Sequence, residues 1–133
     1  MIDHTGINVS DLPASKRFYE SVLATLGYAV RLDFGTAVGF GKATAKPEED
    51  PGGDFWISHG APYTPRSHIA FRAESEAQVE AFHRAALAAG GKDNGPPGLR
   101  PHYHARYYAA FCFDPDGYNI EAVFHQGKSG EAV

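Results

Sequence analysis

Two histidines and one glutamate are the residues of this sequence best suited to metal chemistry: His4, His68 and Glu121. Glu121 stands between Ile120 and Ala122 in an apolar stretch. A carboxylate buried there is costly unless it is paired or binds a metal. Two imidazoles and one carboxylate can occupy one face of a divalent ion and leave its other positions open to water or substrate. An open position is typical of a catalytic metal site.

The plainer interpretation is that these three side chains simply meet solvent on half-exposed strands. An internal repeat argues against it, because a shift of 64 residues places His4 on His68. Five more pairs align at this shift: Ile7 with Phe71, Phe18 with Phe82, Leu23 with Leu87, Gly27 with Gly91, and Gly53 with Gly117. If the two copies are related by a pseudo-twofold axis, their first strands can bring the two imidazoles together. The same shift pairs Glu121 with Ile57, so the first copy lacks the acid.

Hydrophobic periodicity and turn residues predict the same order of elements in both copies. In the first copy a helix begins at Ser10 or Asp11 and ends at Gly27. In the second, a capping box of Ser75 and Gln78 opens the helix. The predicted strands lie at 2–9, 28–34, 36–41 and 54–58, and then at 67–73, 92–99, 104–113 and 118–125.

These elements predict an α+β fold, in which two βαβββ modules form a curved mixed sheet, a half-barrel, with the helices on its outer face. We expect a single domain over residues 1–126. Its parts are module 1 at 1–59, a linker at 60–66 and module 2 at 67–126, followed by a flexible tail at 127–133.

Composition limits the classes of partner. The chain of 133 residues has 12 basic and 16 acidic side chains, a net charge of −4 and no basic run. We therefore expect neither nucleic acid nor membrane as a partner. The single cysteine, Cys112, favours a reducing compartment. Because the sequence also shows no leader and no run long enough to cross a bilayer, we expect a cytoplasmic protein.

The stretch RPHYHARYY, residues 100–108, is a second candidate for chemistry. In a strand, residues of one parity would line a pocket beside the metal, and the sequence does not say which parity. The candidate acid–base groups are His102 and His104. Candidate substrate contacts are Trp56, Arg100, Tyr103, Arg106, Tyr107 and Tyr108, with the arginines suited to an anionic group. The alternative is a solvent-exposed sheet face, on which such side chains pack their apolar part and direct their polar end to water.

Three segments carry a resemblance to a known family: IDHTGINVSDLPASKRFYESVLATLGY near the start, SHIAF in the middle and DPDGYNIEAV near the end. Over residues 1–126 the chain resembles the vicinal oxygen chelate superfamily. That superfamily includes glyoxalase I, extradiol dioxygenases, fosfomycin-resistance thiol transferases and metal-free bleomycin-resistance proteins. The segment 90–125 is similar to a glyoxalase-like subgroup without an assigned substrate.

The resemblance implies that His4, His68 and Glu121 bind one divalent ion, which would be Zn, Ni, Fe or Mn. It also implies a homodimer, in which metal ligands are sometimes drawn from both chains. The expected function is that of a glyoxalase-like lyase or isomerase that chelates vicinal oxygens of a small substrate. Glu121, His102 or His104 would be the base. Ile57 departs from the familiar glyoxalase I, which has a further carboxylate there. The alternatives are an Fe(II) extradiol-type dioxygenase, a thiol transferase, or a non-enzymatic binding or resistance protein.

Overall fold

The computed structural model describes residues 1–127, which form two helices and eight strands. Module 1 comprises β1 (Thr5–Val9), α1 (Leu12–Ala24), β2 (Tyr28–Asp33), β3 (Ala37–Lys42) and β4 (Phe55–His59). Module 2 comprises β5 (His68–Arg72), α2 (Glu76–Ala88), β6 (Lys92–Leu99), β7 (Tyr107–Phe113) and β8 (Asn119–His125). Apart from Gly127, the predicted tail lies outside the described residues.

Each module forms one four-stranded mixed sheet, with strand orders β1-β4-β3-β2 and β5-β8-β7-β6. In both sheets the first strand lies parallel to the last strand of its module, and the other neighbours are antiparallel. This repeated topology confirms the predicted α+β fold of two βαβββ modules. It also places β8, which carries Glu121, directly beside β5, which carries His68.

The helix starts agree with the capping residues seen in the sequence. The Asp11 carboxylate accepts a hydrogen bond from the N–H of Ala14 at 3.1 Å, and α1 begins at Leu12, directly after Asp11. The Ser75 hydroxyl accepts one from the N–H of Gln78 at 3.1 Å. The Gln78 side chain in turn accepts from the N–H of Glu74 at 2.8 Å. Both caps satisfy backbone donors that the first turn of a helix leaves without a partner.

Two strands begin three residues later than the sequence predicts. β1 begins at Thr5 rather than Ile2, because its pairing with β4 starts where Thr5 lies opposite Phe55. β7 begins at Tyr107 rather than His104, because turns occupy 101–103 and 105–106. The strand parity assumed for residues 100–108 therefore does not apply before Tyr107.

Both helices cover the same side of the sheets, where one hydrophobic core joins the two modules. Phe55 of module 1 and Phe71 of module 2 meet edge to face, with ring centroids 5.1 Å apart. Each fully buried side chain of this size contributes about 1.5–3 kcal/mol to folding. Among residues 1–127, neither helix has the length and apolar character needed to span a membrane. The opposite faces of the sheets are left for the candidate site.

A buried hydrogen bond ties α1 to the turn that precedes β8. The Tyr19 hydroxyl donates to Asp114 Oδ2 at 2.5 Å, and both residues are buried. Burial raises the pKa of Tyr19 well above its usual value, so the hydroxyl stays a donor. The other Asp114 oxygen accepts from the N–H groups of Asp116 and Tyr118, each at 2.9 Å.

Tyr19→Phe should lower the free energy of unfolding by about 1–3 kcal/mol, since it removes the donor from one buried carboxylate oxygen. Urea titration followed by circular dichroism measures the loss. The control is Tyr103→Phe, at a residue that is 56% exposed, for which we expect a change within about 0.5 kcal/mol. Equal losses in the two variants would contradict the role of the Tyr19–Asp114 bond.

Candidate metal centre

Glu121 faces away from the helices, into a cavity of the module 2 sheet. Its neighbours Ile120 and Ala122 are both fully buried in the core, so Glu121 takes the opposite face of β8. It is nevertheless only 2% exposed. The cavity has a volume of about 630 Å³ and is lined by His68, His102, Tyr103, His104, Tyr107, Phe111, Asn119 and Glu121.

Both carboxylate oxygens of Glu121 have a partner. His68 Nε2 lies 2.9 Å from Glu121 Oε1, and the Tyr107 hydroxyl donates to Glu121 Oε2. The partners come from the strands on either side of β8, with His68 on β5 and Tyr107 on β7. These contacts offset the cost of burying the carboxylate.

The contact between His68 Nε2 and Glu121 Oε1 needs a proton or a metal cation between the two atoms, since both are hydrogen-bond acceptors when the ring is neutral. His68 Nδ1 lies 2.8 Å from the carbonyl oxygen of Asn119. A carbonyl oxygen only accepts, so Nδ1 carries the hydrogen. A neutral His68 ring then turns the lone pair of Nε2 toward Glu121 Oε1. That pair needs either a shared proton or a cation, and a histidine that binds a metal is commonly oriented by such a carbonyl contact.

Three aromatic rings surround Tyr107. The Tyr103 ring centroid lies 4.8 Å away, and those of His104 and His125 each lie 5.4 Å away, all steeply inclined to the phenol. Burial, followed by the hydrogen bond to Glu121, raises the pKa of Tyr107 far above its usual value. The phenol therefore remains a hydrogen-bond donor to Glu121.

A histidine pair forms part of this ring cluster. His104 Nε2 lies 2.9 Å from His125 Nδ1. The N–H of Arg106 donates to His104 Nδ1 at 3.1 Å, so Nε2 carries the hydrogen and donates to His125. Burial lowers the pKa of His125, and the charge of Arg72 lowers it further. The neutral form of His125, which accepts this hydrogen bond, is thereby favoured.

His4 lies in the other module and lines a different cavity. It is an exposed residue just before β1, and its Nδ1 lies 2.7 Å from Asp3 Oδ1. Its cavity, of about 510 Å³, is lined by Asp3, His4, Lys42, Ala45, Glu49, Asp50, Pro51, Gly52, Gly53, Asp54 and Trp56. Within one chain, over residues 1–127, no three His, Cys, Asp or Glu side chains lie close enough together to hold a metal ion. A single chain thus brings together His68 and Glu121 but not His4.

The strand register corrects the residue expected to correspond to Glu121 in module 1. Ala70 lies opposite Glu121, and its module 1 equivalent Gly6 lies opposite Trp56. The counterpart of Glu121 is therefore Trp56, and the prediction of Ile57 was wrong. Ile57 is fully buried in the core. Module 2 has one more residue than module 1 between the aligned turn glycine, Gly53 or Gly117, and the last strand. A comparison at a constant shift of 64 residues cannot detect this insertion.

The Trp56 side chain lies on the module 1 sheet beside Gly39. Its ring stacks on Phe34 at 5.8 Å, and its Nε1 donates to the carbonyl of Gly53 at 3.2 Å. A Cβ added to Gly39 would lie 2.5 Å from the indole and 2.1 Å from the carbonyl oxygen of Gly52. Glycine at position 39 is therefore required for the indole to lie on the sheet. Trp56 lines the His4 cavity, and not the cavity of Glu121.

The stretch 100–108 divides between the cavity and other surroundings. His102, Tyr103, His104 and Tyr107 all line the Glu121 cavity. Two residues take other positions. Tyr108 lies on the helix side of the sheet, where its hydroxyl donates to Glu80 Oε2 at 2.9 Å. Arg106 stands in the turn before β7.

Arg100 is engaged by its own segment. It donates to the carbonyls of Gly98 at 2.9 Å and Pro96 at 2.7 Å. Its guanidinium lies 5.3 Å from the centroid of the Phe111 ring. Arg100 therefore contacts Phe111 in the cavity wall, and it is not among the residues that line the cavity.

Sequence reasoning missed two of the cavity residues. Phe111 stacks on His68 with centroids 6.2 Å apart, and Asn119 orients His68 through its carbonyl. Each lies an even number of residues from a recognised site residue, Tyr107 on β7 and Glu121 on β8. Strand alternation from those two residues would have identified both.

Comparison with known proteins places the chain among close structural relatives. The family model for the glyoxalase/bleomycin resistance protein/dioxygenase superfamily matches residues 1–122. No curated protein gives a significant match. A glyoxalase/bleomycin resistance protein from Albidiferax ferrireducens is 32% identical, with a TM-score of 0.76, over 92% of this chain and 97% of its own.

Two more distant structures share the fold. A glyoxalase-related enzyme from Fulvimarina pelagi is 21% identical, with a TM-score of 0.67, over 93% of this chain and 87% of its own. The fosfomycin resistance protein FosX from Listeria monocytogenes is 19% identical, with a TM-score of 0.64, over 95% and 93% of the two chains. The match of the family model over nearly the whole chain decides the assignment: the chain belongs to the glyoxalase/bleomycin resistance protein/dioxygenase superfamily.

Proposed function

We propose that the chain is a homodimeric, divalent-metal-dependent enzyme of the glyoxalase-like lyase or isomerase type. His68 and Glu121 of one protomer and the partner's His4 would hold the ion, which would be Zn, Ni, Fe or Mn. A small substrate would bind through two vicinal oxygens. The single cysteine, Cys112, supports a cytoplasmic location.

The observation that carries the proposal is that each of the three candidate ligands is anchored through one atom and presents another. His4 uses Nδ1 for Asp3, and His68 uses Nδ1 for the Asn119 carbonyl. Glu121 uses Oε2 for Tyr107. The remaining donor atoms are two imidazole Nε2 atoms and one carboxylate oxygen, a set that suits a divalent transition metal. The donor chemistry therefore fits such an ion.

Acidic side chains on one face and histidines that can donate hydrogen bonds on the other support the homodimer. Among the described residues, four acids and one lysine line the His4 cavity, whereas three histidines and the hydrogen-bonded Glu121 line the other. Each face also carries an exposed aromatic side chain, since Phe34 is 66% and Tyr103 is 56% exposed. A twofold axis that set the module 1 face of one copy on the module 2 face of the other would form this contact twice.

The cavity contains the groups that acid–base chemistry requires. When bound, a divalent ion supplies a Lewis acid that stabilises negative charge on substrate oxygens. Glu121 is a candidate base only through Oε1, the same oxygen that would hold the ion, because Tyr107 occupies Oε2. His102 and His104 line the same cavity and are further candidates for moving a proton.

Divalent ions should raise the melting temperature of wild-type protein, and His68→Ala should remove that response. An ion present at about 100 times its Kd stabilises the folded state by about 2.7 kcal/mol. For a domain of this size that corresponds to a shift of roughly 5–15 °C. Thermal unfolding of chelator-treated protein, with and without Zn, Ni, Fe(II) or Mn, measures the effect.

The matched control for this experiment is His59→Ala. His59 is an exposed histidine at the end of β4, outside both cavities, so this variant should respond to metal as wild type does. A wild-type protein that no ion stabilises would contradict the proposal. An undiminished response in His68→Ala would do the same.

Non-enzymatic binding of an aromatic compound is the second candidate function. The ring lining of the cavity favours it, with His68 stacked near Phe111 and Tyr103 edge-on to Tyr107. A binding protein would keep most of its affinity for aromatic ligands in His68→Ala, because the rings of Phe111, Tyr103 and Tyr107 remain. Loss of both metal and ligand binding in that variant would favour the enzyme.

A further inference from the structure

We propose that Tyr107 is a positioning residue that holds Glu121 as a single-oxygen metal ligand, an inference that rests on the proposed function. The Tyr107 hydroxyl donates to Glu121 Oε2, while His68 Nε2 faces Oε1 at 2.9 Å. Oε2 therefore accepts a hydrogen bond from the protein, and Oε1 is left to bind the metal. A carboxylate without that donor could turn both oxygens to the ion and occupy a coordination position that substrate needs.

The surroundings of Tyr107 suit it to this role. Its ring is flanked by Tyr103, His104 and His125, with centroids 4.8–5.4 Å away. On the neighbouring strand, Tyr107 lies directly opposite His125. The hydrogen bond between His104 and His125 joins two of the flanking rings at 2.9 Å. Because the ring is confined by packing, its hydroxyl is fixed in place beside Glu121.

The chain provides a matched control at the next residue. Tyr108 also donates its hydroxyl to a glutamate, Glu80, at 2.9 Å, but on the helix side of the sheet. Tyr107→Phe and Tyr108→Phe therefore each remove one phenol–carboxylate bond and keep the ring. Only the first change touches the candidate metal centre.

The test is the visible absorption spectrum and the affinity of Co(II) bound to full-length wild type and both variants. The d–d bands of Co(II) report the number and arrangement of its ligands. We expect Tyr107→Phe to change the band positions and intensity and to weaken Co(II) binding by about 10–100-fold. We expect Tyr108→Phe to keep the wild-type spectrum and an affinity within about threefold of wild type.

Each outcome decides between the two claims. A wild-type spectrum in Tyr107→Phe overturns the positioning role even if affinity falls, because a merely structural loss weakens binding without moving donor atoms. Equal spectral changes in both variants also overturn it. Wild-type protein that binds no Co(II) overturns the proposed function and this inference together. Spectral change in Tyr107→Phe alone supports the inference.

Discussion

Glu121→Gln should abolish the response to divalent metals and leave the metal-free protein at least as stable as wild type. In metal-free wild type, the contact between buried Glu121 Oε1 and His68 Nε2 needs a shared proton. A glutamine oxygen can still accept from Tyr107, and its NH₂ can donate to His68 Nε2. Because the substitution removes a buried charge and satisfies every group, we expect the metal-free protein to gain about 1–2 kcal/mol. Stability gained at the expense of function is common at active sites.

Two measurements are needed for this variant: urea unfolding without metal, and thermal unfolding with metal. The control is Glu80→Gln, which changes the glutamate bonded to Tyr108 on the opposite face of the sheet. It should keep the full metal response. A Glu121→Gln protein that is still stabilised by metal as strongly as wild type would show that Glu121 is not a ligand. A large loss of stability without metal would show that Glu121 serves the fold.

The fold could be predicted because duplication leaves its pattern in the sequence. Equivalent glycines, capping residues and apolar positions recur at one spacing, and each has a local physical reason. The correspondence between β4 and β8 could not be predicted, because the extra residue of module 2 follows a turn, where insertions are tolerated. The result is that Trp56 and not Ile57 corresponds to Glu121. A one-residue slip exchanges the two faces of a strand, so the error moved the position from the cavity to the core.

The candidate site was only partly visible for a related reason. His68 and Glu121 occupy regular strands, where alternation and pairing bring them together. The segment before Tyr107 has strand-like composition, yet it forms turns, so His102 and Tyr103 line the same cavity despite their opposite parity. His4 precedes the first paired residue of β1. Sequence patterns describe elements well, but they do not show which faces of separate modules meet.

Two variants that each bind no metal should regain metal sites when mixed, if the site is shared between protomers. In His4→Ala, each site would lack the histidine from module 1, and in Glu121→Ala each would lack the carboxylate from module 2. A heterodimer of the two variants would combine both substitutions in one site and leave the other site intact. Random exchange makes half of the dimers mixed, so about a quarter of wild-type sites should return.

The most direct test of the shared centre is therefore the number of divalent ions bound per chain, measured by elemental analysis after co-expression and removal of loose metal. The account predicts about one ion per chain in wild type, almost none in either variant alone, and about a quarter of the wild-type value in the mixture. If each variant alone binds no metal and the mixture recovers none, the donors do not come from two chains. If His4→Ala alone keeps its full metal content, His4 is not a ligand.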